Sequence, residues 1–146
     1  MNIRDLPWYL DEKRPQLPDI NVLGLNDLDT LVDELIQKKV AVIFSALPDS
    51  IASEVEKPLA ERGFCVISHA LIHRLKAEVP LVIPDINSDH LKILESQSFG
   101  TGSLISCSNC MVVPIALTLF PLMSEYDFST VKIITEQSLS GGGRKM

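Results

Sequence analysis

Two cysteines stand three positions apart in "ISCSNCMVVPIALTLFPLM", residues 105–123, where a short β-like run gives way to a nearly all-apolar segment. Cys110 sits at the junction. There the unpaired backbone N–H groups and the positive end of a helix dipole favour a thiolate, so the placement suits a nucleophile. Cysteine is also among the most buried residue types, so position alone leaves a plain core role open. Cys107 and Cys110 together spell C-x-x-C, which raises a zinc site or a thioredoxin-like dithiol. A structural zinc needs four ligands, and the chain adds only the isolated Cys65, with no second Cys or His pair. A dithiol at a helix start is physically sensible, and Pro114 follows it closely. Beyond Pro114 and Pro121, however, no proline follows to face such a pair.

The other chemistry-bearing residues are dispersed. His69, His73 and His90 all precede Cys110, and each is as compatible with a structural role as with that of a base for the thiol. Arg74 follows the β-like "FCVIS" by a few positions, at the kind of rim where anions bind. In "SLSGGG", residues 138–143, glycines after the run "VKIIT" let backbone N–H groups approach a ligand closely, or form a plain loop.

The composition bounds these readings. A chain of 146 residues with 46% hydrophobic residues can bury one substantial core and reads as one domain or a piece of a larger one. A net charge of -6, a pI near 5.0 and scattered basic residues argue against a nucleic-acid partner. The charged, proline-bearing opening "MNIRDLPWYLDEKRPQLPD" is unlike an export signal. The apolar stretch 111–123 is shorter than the ~20 residues a membrane span needs, so no membrane is expected. A reducing, cytoplasmic setting with all cysteines as thiols follows as the default.

The elements must bring the candidates together. Residues 1–24 show no sustained period and read as a lead-in, extended through 1–28. "DTLVDELIQK" (29–38) has helical spacing, and "VAVIF" (40–44) is the continuous β-branched run of a buried parallel strand. After the turn "SALPD", residues 51–62 are amphipathic and stop at Gly63, and "FCVIS" (64–68) is the next strand. Strand, helix, strand is the crossover of an open α/β sheet, where ligands gather at the carboxyl ends of strands. "VPLVIPDIN" supplies an extended piece, and "SDHLKILESQ" a helix with Ser88 or Asp89 as its N-cap. Residues 103–106 and 131–135 read as further strands. Pro114 falls inside the apolar helix, where it removes a donor.

Four segments, "FSALPDSIASEVEKPLAERGFCVIS", "VPLVIPDINSDHL", "SNC" before an apolar helix ending "PL", and "TEQSLSGGG", resemble aspartate-semialdehyde dehydrogenase in order and spacing over about 40–143. Asparagine directly before the cysteine separates this family from the related acyl-phosphate reductases, which have glycine there. The resemblance implies a cytoplasmic oxidoreductase of amino-acid biosynthesis that interconverts aspartyl phosphate and aspartate semialdehyde with NADP through a cysteine thioester. Its fold would be α/β: the later part of a Rossmann-like NADP-binding domain (29–106) and the start of an α+β catalytic and dimerisation domain (107–146). Cys110 would match the nucleophile. Gln137 would position the substrate, Arg74 would bind phosphate and Asn109 would line that pocket. Ala46, Leu47, Ser140, Gly141 and Gly142 would contact the cofactor. Partners would be aspartate semialdehyde and phosphate, with a homo-oligomer where the full family architecture is present.

The departures are also specific. The family's Asn-Pro-Asn-Cys followed by Ser or Thr is here Cys107, Ser108, Asn109, Cys110, Met111. His69 replaces an asparagine at a strand end, and Asp85 a glutamate. No glycine-rich strand-to-helix turn for a pyrophosphate occurs, and no histidine follows Cys110 to match the family's base. The expectation is therefore a fragment or shortened homologue, inactive alone. A non-catalytic interaction module of the same fold is the alternative from another class, ahead of the thioredoxin-like dithiol.

Overall fold

Short apolar runs build the sheet. The computed structural model describes residues 1–25 and 27–136. It places Val42–Ser45 (β1), Cys65–Ser68 (β2), Leu81–Val82 (β3) and Ser103–Cys107 (β4) in one parallel sheet of order β1-β2-β4-β3. Ser45 pairs beside Ser68, and Ser68 beside Ser106. Residues on one rung share a face, so these three buried serines form a polar row at the carboxyl end of the sheet. On the same face, two positions earlier, stand the buried Val66 and Leu104.

The helix Asp49–Glu61 (α2) covers that face. Its buried residues Ala52, Val55, Glu56, Leu59 and Ala60 fall at i, i+3, i+4, i+7 and i+8, the stripe of a core-facing helix. They pack with Phe64, Val66, Phe99 and Leu104. The helix Leu28–Gln37 (α1) adds Val32 to that core. Asp27 caps α1 by accepting from the N–H groups of Asp29 and Thr30. The Thr30 hydroxyl, which also donates to it, is the main cause that holds the Asp27 carboxyl below its ordinary range. The cap is therefore complete at neutral pH and weakens only as pH falls through that lowered value.

Two glycines let α2 meet the sheet. Gly63 follows the helix at φ 96, a left-handed conformation that favours glycine. At Gly102 a Cβ would lie 1.8 Å from the Ala60 carbonyl oxygen and 3.0 Å from the Gly63 Cα. Both obstacles are backbone and cannot rotate away. Gly102→Ala is expected to cost about 3 kcal/mol, the upper end for overpacking, read as a lower urea midpoint. An unchanged midpoint would show that β4 and the end of α2 part freely.

Side-chain amides hold the far edge. Gln97 donates to the carbonyls of Glu78 and Leu104 and accepts from the Leu104 N–H, tying β4 to the segment before β3. Asn87 accepts from the Ile83 N–H and donates to the Leu81 carbonyl across the short helix Pro84–Asn87 (α3).

Several sequence expectations are corrected. Residues Ser88–Ser96 form a 3-10 helix, with Asn87 rather than Ser88 or Asp89 at its N-cap and no side-chain cap bond. None of its residues is buried, so packing does little to select the α form. The lead-in is partly ordered: a 3-10 turn at Ile3–Asp5 and an antiparallel bridge between Asn2 and Asn21 close it into a loop.

The chain divides into two units, Met1–Asn109 and Cys110–Met146. The second contains the helix Val112–Met123 (α4). Pro114 is its third residue, where the N–H has no intrahelical partner, so it costs no hydrogen bond; Pro121 is the interior proline. Val131–Thr135 is not a strand, because among the described residues nothing pairs with it. Instead residues 131–134 and α4 line an open cavity of about 400 Å³ within that unit. Among the described residues no helix is long and apolar enough to cross a membrane.

Candidate active site

β2 and β4 are direct neighbours, so the segments leaving their carboxyl ends start side by side. The first carries Arg74, the last residue of a tight turn that runs through the 3-10 helix Leu71–His73. Its guanidinium reaches across to the second: Nε donates to the Cys107 carbonyl at 3.2 Å and Nη2 to the His69 carbonyl at 2.9 Å. Both partners are neutral, and no carboxylate among the described residues forms an ion pair with Arg74. The result is a half-buried, fixed cation whose remaining N–H groups can serve an anion.

The turn is anchored at several points. The His69 N–H donates to the Ser45 carbonyl, the Ala70 N–H to the Ser68 hydroxyl and the Leu71 N–H to Asp49 at the start of α2. Behind it, His73 Nε2 meets Glu56 Oε2 at 2.7 Å, and the Ser45 hydroxyl donates to Glu56 Oε1. Glu56 and His73 are 0% and 1% exposed, a buried pair in the serine row. Sequence reasoning missed Glu56. Its signal was a lone carboxylate on the apolar stripe of α2, between Val55 and Leu59.

Cys110 lies between β4 and α4 and is exposed, as is Asn109 before it. Cys65 and Cys107 are only partly accessible, and all three side chains are thiols. Burial pushes the Cys107 thiol up, partly offset by the Arg74 charge. Cys110 is accordingly expected to be alkylated at least about tenfold faster than either other cysteine at neutral pH. Labelling of variants with each cysteine replaced in turn checks this, and dominant labelling of Cys65 or Cys107 would contradict it.

Ala46 and Leu47 follow β1 at the sheet edge and, with Leu31, Leu35, Ile43 and Phe44, line an apolar cavity of about 230 Å³. Such a wall suits a flat ring. It does not suit a pyrophosphate: Asp49 occupies the first turn of α2, and among the described residues no glycine-rich turn opens a helix. The described residues thus fit an apolar part of NADP but not its phosphates. Gln137, Ser140, Gly141 and Gly142 lie outside the described residues. Among the described residues no cluster of His, Cys, Asp or Glu is arranged to hold a metal ion.

Comparison with known proteins bears on this arrangement. Residues 12–94 match the family described as "Semialdehyde dehydrogenase, NAD binding domain". An aspartate-semialdehyde dehydrogenase of Archaeoglobus fulgidus is 42% identical over 143 residues, covering 95% of this chain and 39% of that protein. A malonyl CoA reductase (NADP) of Metallosphaera sedula is 34% identical over 114 residues, covering 76% of this chain and 32% of that protein. The crystal structure of the Candida albicans aspartate semialdehyde dehydrogenase with NADP superposes with a TM-score of 0.51 at 32% identity, over 57% of this chain and 26% of that one. The chain spans about two fifths of the length of the first two curated relatives, 39% and 38%.

Proposed function

The chain belongs to the semialdehyde dehydrogenase family, and from that premise we propose that it serves the NADP-dependent interconversion of aspartate semialdehyde and aspartyl phosphate. The observation that carries this is the Arg74 guanidinium, which has no carboxylate partner among the described residues and is bonded to the Cys107 carbonyl, three residues before an exposed cysteine. In this reading Cys110 attacks the acyl carbon of aspartyl phosphate, a C–S bond forms and the C–O bond to phosphate breaks. The leaving phosphate takes the electron pair and is held by Arg74. Asn109 lines the phosphate pocket and Gln137 orients the aspartyl group. NADPH, when bound, supplies the hydride that reduces the thioester to the aldehyde.

The cofactor reading assigns Ala46, Leu47, Ser140, Gly141 and Gly142 to contacts with NADP, and residues 29–106 to its domain. The catalytic and dimerisation domain begins at 107. A homo-oligomer is part of the same proposal, supported by exposed apolar residues of α4 such as Leu117, Phe120 and Met123. So is a cytoplasmic setting.

The malonyl CoA reductase likeness supplies a second acyl donor to test. The two reactions share a thioester but differ in leaving group, phosphate in one and a CoA thiol in the other. Chain incubated with aspartyl phosphate should gain one hydroxylamine-labile acyl group, with phosphate released. Acylation by malonyl-CoA alone would replace the proposed substrate by a CoA thioester.

A further inference from the structure

An anion site built on Arg74 binds more tightly where its backbone is already held still, and the structure shows what holds it. Consecutive side chains of the turn diverge: His73 is buried against Glu56 of α2, while Arg74 reaches the end of β4. Asp49 and Glu56 are seven residues apart, so they project from one face of α2 two turns apart. Asp49 accepts from the N–H of Leu71, and Glu56 binds the ring of His73. One helix face therefore clamps the turn at both ends of Leu71–His73. The second Glu56 oxygen is occupied by the Ser45 hydroxyl, which fixes the carboxylate's rotation. His73 Nδ1 has no hydrogen-bond partner among the described residues, so the ring's orientation rests on the Glu56 contact.

We propose that Ser45, Glu56 and His73 are positioning residues, a buried hydrogen-bonded chain that sets the Arg74 guanidinium for a phosphate group. This rests on the reading of Arg74 as the phosphate-binding residue. A buried pair of this kind is not needed for stability alone, because apolar residues of similar volume often replace it at no loss. It is directional, and packing is not.

Calorimetric titration of the chain with inorganic phosphate tests the two claims separately. Arg74→Leu should abolish phosphate binding, and if wild type and Arg74→Leu bind alike, the reading of Arg74 itself is wrong. Given Arg74-dependent binding, the double variant Glu56→Met with His73→Leu should remain folded, with a melting temperature near wild type, yet bind phosphate at least about tenfold more weakly. His73→Gln keeps an N–H donor toward Glu56 and should retain affinity within about threefold. If the double variant binds as tightly as wild type, or His73→Gln loses as much as the double variant, the positioning claim is overturned. Should the double variant fail to fold, His73→Gln and Glu56→Gln carry the test. Each should bind within about threefold of wild type while folded, and a tenfold loss in both would sink the claim.

Discussion

Supplied with aspartate semialdehyde, phosphate and NADP, the 146-residue chain on its own is expected to give no measurable reduced cofactor. Two lacks act together. No histidine follows Cys110, and general acid–base help contributes typically ~10²- to 10⁴-fold, so that lack by itself still permits a slow enzyme. The cofactor is the larger difficulty. Ala46 and Leu47 offer an apolar wall, but Asp49 stands in the first turn of α2, and among the described residues no glycine-rich turn presents N–H groups to a pyrophosphate. A nicotinamide without a fixed position forfeits near-attack geometry, which can be worth ~7 to 11 kcal/mol of a barrier. Absorbance in the reduced-cofactor band, beside a Cys110→Ser control, measures this. Turnover that vanishes in the control would show that the chain holds NADP by groups other than those described.

The largest effect on stability is expected at Glu56. Glu56→Ala strands the Ser45 hydroxyl and His73 Nε2, which lose their partner inside the core. Each buried group left without its partner typically costs ~1–3 kcal/mol, and two are stranded here. At ~2–4 °C per kcal/mol for a chain of this size, the melting temperature should fall by roughly 10 °C. Glu54→Ala, on the exposed side of the same helix, should stay within about 0.5 kcal/mol of wild type. Equal melting of the two variants would mean that Glu56 contributes nothing as a buried acceptor.

The parts of this fold that were legible from sequence are those decided locally. A continuous β-branched run marked β1, short apolar runs marked β2 and β4, and the amphipathic pattern of residues 51–62 marked α2. Val131–Thr135 is richer in β-branched residues than any of those strands, but strand formation is a matter of neighbours, and among the described residues it pairs with none. The site is legible only in part for the same reason. Cys110 and Arg74 could be singled out by type and place. That Arg74 bonds the Cys107 carbonyl, 33 residues on, follows from the adjacency of β2 and β4, which no local pattern encodes. Glu56 lay in plain view on an apolar stripe, and its partner His73 was one of several histidines without a distinguishing neighbour in sequence.

The central claim is that Cys110 carries the acyl group, with phosphate as the group displaced. Incubation of the chain with aspartyl phosphate, followed by acid quench and peptide mass mapping, tests it most directly. The account predicts a single hydroxylamine-labile aspartyl adduct on the peptide containing Cys110, one phosphate released per adduct, and neither in Cys110→Ser. An adduct on Cys65 or Cys107, or one that persists undiminished in Cys110→Ser, would contradict it.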